Sequence, residues 1–218
     1  DGPNTHMWQS FTPSVSVNNS GVSTQFKIAI PYSIPADGQF NAVEIKSHKL
    51  KASYQHYTAP KYDQAAFLMA RVTDWDQYNL MAGTANIYFE GTFVGNTYLN
   101  ANSTMDTLEI SLGRDPGVIV ERRKIKDFGQ NQIVGSSKKT TLGLKITVRN
   151  SKNSPINILI HDQIPISQTK EISVDALETD GAKYDEETGY LKWKESIQPG
   201  GTVSHEFKYQ VKYPKDKT

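Results

Sequence analysis

Hydrophobic and polar residues alternate with a period of two along most of the chain. "VSTQFKIAI" places Val22, Thr24, Phe26, Ile28 and Ile30 on one face and Ser23, Gln25, Lys27 and Ala29 on the other. That is the pattern of a half-buried strand. "TTLGLKITV" repeats it with Thr140, Leu142, Leu144, Ile146 and Val148, and "TLEISL" with Leu108, Ile110 and Leu112. "VSHEFKYQVKY" carries Val203, Phe207, Tyr209, Val211 and Tyr213 with one slip, and a slip in an alternating run marks a bulge. "DQAAFLMARV" (63–72) has helix-forming composition, but its length and its β-like neighbours favour a strand.

Turn chemistry separates these runs. Gly stands with Asp, Glu or Pro in "PADGQ" (35–39), "FEGTF" (89–93), "GRDPG" (113–117), "DEETG" (185–189) and "QPGG" (198–201). Such residues tolerate positive φ or preset a turn. "IYFEGTFVGNTYL" reads as a hairpin about Glu90-Gly91. The count is about fourteen strands with regular turns, which predicts an all-β protein, an antiparallel β-sandwich. The polar stretch 128–139 is either an interdomain linker or a long hairpin loop. The expected layout is a leader or linker at 1–14, a sandwich half at 15–127, the 128–139 connection, and a second half at 140–218, tandem or packed.

Composition narrows the function classes. At 218 residues with 37% hydrophobic content, a sizeable core can be buried. The 24 basic and 23 acidic residues nearly cancel, which argues against a nucleic-acid partner, since that needs a basic stripe. No apolar run is long enough to span a membrane, and "DGPNTHMWQS" lacks the apolar core of a signal peptide. With no cysteine, a disulfide framework, a thiolate nucleophile and a Cys-based zinc site are all excluded.

Several groupings invite chemistry. "ILIHDQIPISQTKEISV" (158–174) sets His161 beside Asp162, with Ser167 shortly after. Neighbours on a strand point to opposite faces, so His161 and Asp162 cannot act as a pair, and Ser167 has no Gly-x-Ser-x-Gly elbow. Ile156, Ile158 and Ile160 put Asp162 in phase with the buried face, so it is expected to tie the loop backbone at the strand end. His6, His48, His56, His161 and His205 show no local metal-ligand spacing, and no metal or cofactor is expected. "TDWDQYN" (73–79) sets Asp74, Asp76 and Asn79 close together but fails the EF-hand pattern. Its aromatics Trp75 and Tyr78 are the candidate binding residues, able to stack on sugar rings or anchor a partner; core packing is the competing use. Asp185, Glu186 and Glu187 are consecutive on a turn, not set across a cleft as glycosidase chemistry requires. The basic group Arg122, Arg123, Lys124, Lys126, Lys138 and Lys139 fits an exposed hairpin that blunts a strand edge.

Ordered blocks carry a family resemblance. They are Tyr57, Ala59-Pro60-Lys61, Ala66-Phe67-Leu68 and Ala70; then Leu80 and Gly83 to Gly95; then Ser111-Leu112-Gly113 with Asp115; then the 158–174 segment, Gly189 to Gly200 and Tyr209 to Lys215. In these the chain resembles the C-terminal domain of mucoidy-inhibitor-A-like bacterial proteins, a domain of unknown function, over its second half. "TDWDQYN" departs from the family pattern. The resemblance implies a C-terminal part of a longer, exported, periplasmic or envelope-associated protein linked to exopolysaccharide, and it brings no catalytic residues. The expected function is therefore a non-catalytic interaction module with a protein or cell-envelope glycan partner. The alternative is a hydrolase acting on an envelope polymer, with a site assembled from distant loops.

Overall fold

The computed structural model describes residues 15–20, 23–28, 33, 35–39, 44–78, 80–100, 107–125 and 131–215. The expected leader at 1–14, Asn79 of the acidic loop, Lys126 and the start of the 128–139 connection lie outside the described residues. Contacts divide the chain into two units, 1–50 and 51–218. In the first, β1 (Val15–Ser20) and β2 (Ser23–Ile28) pair antiparallel, Val15 opposite Ile28.

The second unit holds β3 (Ala52–Ala59), β4 (Asp63–Thr73), β5 (Gly83–Phe89), β6 (Thr92–Leu99), β7 (Thr107–Ile125), β8 (Asn131–Val134), β9 (Ser137–Asn150), β10 (Ile156–Gln163), β11 (Ser173–Glu178), β12 (Lys183–Tyr184), β13 (Tyr190–Ile197) and β14 (Thr202–Pro214). A 3-10 turn at Asp76–Tyr78 is the one helical piece among the described residues. The protein is all-β, and the ambiguous 63–72 segment is strand β4.

One sheet runs β11-β14-β9-β7-β4-β3-β10-β13-β12, with β8 paired to β9 and the β5–β6 hairpin separate. Its neighbours are antiparallel except β3 with β10, which run parallel. The sheet bends at β7. Thr107 to Arg114 and Ile119 pair with β4, and Val118 to Ile125 pair with β9. The register shifts in between, at "DPG", where proline removes a ladder donor. Bending brings the inner faces of β9 and β14 over those of β10 and β13, a sandwich-like arrangement. Trp193 of β13 stacks on His205 of β14 with centroids 5.0 Å apart and lies 6.1 Å from Phe207.

The alternating patterns fill this space. Leu144, Ile146 and Val148 of β9 meet Ile158 and Ile160 of β10, Leu191 and Trp193 of β13, and Phe207. Each fully buried aliphatic or aromatic side chain contributes about 2 kcal/mol. Asn150 continues the inward phase of β9 and is fully buried. Its amide donates to the carbonyls of Ser154 (2.9 Å) and Ile197 (3.0 Å), and its oxygen accepts from the Lys152 N–H. A buried amide satisfied in this way fixes two turns at once.

The two expected halves share this sheet. Strands from 140–218 form both facing layers, and β3, β4 and β7 of the first half bridge them. Contacts place a boundary at 50/51, and β7 and β9 pair antiparallel. Within 128–139, β8 folds back on β9 through Gly135 at φ 62°.

Candidate functional site

His161 and Asp162 sit on β10 and face opposite ways. Asp162 points into the sandwich and is 3% exposed. Arg122 of β7 grips it through Nε at 2.7 Å and Nη2 at 3.1 Å, a two-point match of planar groups. Asp162 also accepts the Gln163 N–H at 2.7 Å. Its contacts are thus the backbone N–H of the last residue of β10 and one arginine from β7. Arg122 consequently leaves the exposed basic group in which the sequence placed it.

His161 faces outward, opposite Lys192 in the β10–β13 register. Its ring meets Tyr57 edge-on at 5.1 Å, with the Tyr57 hydroxyl 3.4 Å from Nδ1. Burial holds the imidazole below its ordinary value, and the Lys192 charge adds to this. Burial also raises the Tyr57 phenol, helped by Tyr190 and Tyr62. These side chains line a recess of about 190 Å³. Its lining is Tyr57, Tyr62, Tyr190, His161, Lys192 and Ala59, with Asp162 at its edge. The Ser167 hydroxyl donates to the Thr169 carbonyl, so the hydroxyl, imidazole and carboxylate of the 158–174 segment are engaged in three different places. No nucleophile, base and orienting group converge here as an acyl-transfer site requires.

Two more histidines bind carboxylates inside the fold. His56 of β3 is 2.8 Å from Asp115 in the bend of β7, where Lys152 and the Gly117 N–H also donate to the carboxylate. Burial pushes Asp115 up, but Lys152, His56 and Gly117 outweigh it and hold it at about 2. His205 lies between Asp180 (3.2 Å) and Glu195 (3.1 Å). The Trp193 indole donates to the Asp180 carbonyl. Asp180 therefore fastens one layer to the other. Among the described residues no three His, Asp or Glu side chains gather in a way that would hold a metal ion, and no helix is long and apolar enough to cross a membrane.

Trp75, a candidate stacking residue, is 5% exposed. The chain turns back after β4 with Asp74 at φ 54°, and Tyr78 N–H donates to the Trp75 carbonyl. This turn folds the indole inward, so it offers no open ring face. Tyr78, half-buried, lies in the same turn.

Exposed aromatic surface occurs instead on the β5–β6 hairpin. Glu90 and Gly91 take φ 48° and 78° and join Phe89 to Thr92 directly, the two-residue turn whose twist matches the strands. Facing outward are the pairs Thr84–Tyr98, Asn86–Asn96 and Tyr88–Phe93. Tyr88, Phe93 and Tyr98 are 64%, 52% and 66% exposed. Tyr88 and Phe93 meet edge to face at 5.6 Å. The opposite face, with Ile87 and Val94, covers a recess of about 610 Å³ over Phe67 and Ser111 to Arg114. Sequence reading recognised this hairpin but not its aromatic face. The reason is local: a bulge puts Ile87 opposite Gly95 and Tyr88 opposite Phe93. Simple alternation would send Phe93 to the side away from Asn96 and Tyr98. The second glycine of the hairpin, Gly95 at φ 150°, is the signal that could have revealed the bulge.

Comparison with known proteins follows the whole chain rather than this hairpin alone. The family described as Domain of unknown function (DUF4139) matches residues 3–215. A Caenorhabditis elegans protein, "Protein F37C4.5", is 25% identical over 212 residues, covering 91% of this chain and 38% of the worm protein. The chain thus spans well under half the length of that relative.

Proposed function

The chain belongs to the family described as Domain of unknown function (DUF4139), and from that premise we propose that it is a non-catalytic interaction module of an exported bacterial envelope protein. The observation that carries this reading is the exposed aromatic row Tyr88, Phe93 and Tyr98 on one hairpin face. Clusters of exposed large aromatics mark contact surfaces. The envelope setting and the exopolysaccharide link are supported by the resemblance to mucoidy-inhibitor-A-like proteins. The short share of the nematode relative that is covered supports a place within a longer protein. The module itself is not tied to bacteria, since an animal protein carries a similar segment.

The hydrolase alternative has one observation in its favour, the Tyr57–His161–Lys192 recess. Against it, the carboxylate that borders the recess, Asp162, is held by Arg122. One experiment separates the readings. Parent protein and the triple variant Tyr88→Ala, Phe93→Ala, Tyr98→Ala are mixed with the envelope fraction of the source cells and sedimented. Each substitution is exposed and is expected to change stability by less than about 0.5 kcal/mol. The parent is expected to sediment with the fraction and the variant to remain in solution. Equal sedimentation of both, or release of soluble fragments from the envelope polymer by the parent, would overturn the proposal.

A further inference from the structure

The chemistry of the hairpin face points to a particular class of partner. Outside the Glu90 turn, no outward position from Thr84 to Tyr98 carries a charge, in a chain that is 22% charged. A nucleic-acid strand would need basic side chains along the stacked rings to follow its phosphates. A membrane surface would need basic side chains beside the apolar ones, and this face carries none. The face instead alternates ring and amide. Tyr98 stands at one end, Asn86 and Asn96 face each other in the middle, and Tyr88 with Phe93 close the other end. Neither carboxamide is engaged in a hydrogen bond among the described residues. At the rise of a strand, the two aromatic ends lie about 13 Å apart, four residues along β5.

We propose that this face binds an uncharged glycan chain. Sugar rings would lay their C–H faces on Tyr98 and on the Tyr88–Phe93 pair, and their hydroxyls would exchange hydrogen bonds with Asn86 and Asn96. Ring faces supply apolar area at low entropic cost. The amides, which donate and accept, match a hydroxyl that does both. The separation of the two ends calls for a ligand several sugars long. The proposal rests on the interaction-module reading above and assigns the partner of that surface.

Affinity electrophoresis tests it. The protein is run through native gels containing a dextran, a soluble β-glucan, a galactomannan or, as the anionic comparison, an alginate. Retardation is expected in at least one uncharged polymer. Its apparent Kd is expected to rise at least tenfold in Tyr98→Ala and in the double variant Tyr88→Ala, Phe93→Ala. Tyr62→Ala, which removes a 72% exposed ring elsewhere on the surface, is expected to bind like the parent. No retardation in any gel, retardation by alginate alone, or equal binding by the hairpin variants would overturn the proposal. If no gel retards the parent while the sedimentation difference above persists, the glycan assignment falls and the interaction module stands.

Discussion

Asp162, buried, and Asp115, partly buried, are carboxylates with different partners, and each is expected to answer a different perturbation. Asp162 holds Arg122 from across the sandwich and the backbone of the residue after it. Removing one side of such a pair leaves the other charge poorly compensated, so Asp162→Ala is expected to cost about 3 kcal/mol. The Arg122 side chain keeps 21% of its exposure, which lets water relieve part of the loss. Urea denaturation reads the cost, and an unchanged midpoint would contradict it. Asp115 is a matter of pH. Its folded value of about 2 lies below the ordinary 3.8, so the unfolded chain takes up the proton first as pH falls. The stabilisation, about 2 kcal/mol, is complete well above pH 4 and is lost as pH drops through 3.8 toward 2. Parent and Asp115→Asn should therefore differ in urea midpoint at pH 6 and converge near pH 2; a gap that is constant with pH would contradict this. The inward phase of Asp162 was legible from Ile156, Ile158 and Ile160. Its arginine was not, because Arg122 is distant in sequence and looked like part of a solvated basic run.

Hairpins and bends fix how these residues meet, and their glycines are unequal. Gly189 closes the β12–β13 turn at φ 73°, and a Cβ there would fall 2.1 Å from the Ile164 carbonyl oxygen. Its own carbonyl accepts the Ile164 N–H. Gly91 has a similar φ of 78° but open space around it. Gly189→Ala is expected to cost about 2–4 kcal/mol, from strain plus displaced backbone, and Gly91→Ala about 1 kcal/mol, from the left-handed backbone alone. Equal losses on urea denaturation would contradict the distinction. At this scale the alternating runs of β9, β10 and β13 could be read directly from the chain, since one face of each is wholly core. Two devices hid the rest. The β6 bulge rotated Phe93 onto the outer face, and the positive-φ turn at Asp74 carried Trp75 inward. Neither leaves a trace in period-two patterning.

Across residues 51–218, the bend in β7 decides the topology. A single long strand pairs with β4 over Thr107 to Arg114 and at Ile119, and with β9 from Val118 to Ile125, so that β3, β4 and β7 join two layers built by later strands. The all-β class followed from strand patterns and turns. Strand order could not, because it depends on long-range pairings such as β3 with β10. Most of the core cluster lies between Leu144 and Phe207. Residues 140–218 alone are therefore expected to unfold cooperatively, but at a lower midpoint than 51–218. They are also expected to self-associate through the bared edges of β9 and β10. A monomeric fragment with the midpoint of 51–218 would contradict that. Backbone-amide NMR during titration with a soluble uncharged polysaccharide locates directly where this molecule meets its partner. Shifts concentrated between Thr84 and Tyr98 are the predicted result. Shifts centred on Tyr57, His161 and Lys192 would contradict the account and move the site to the recess.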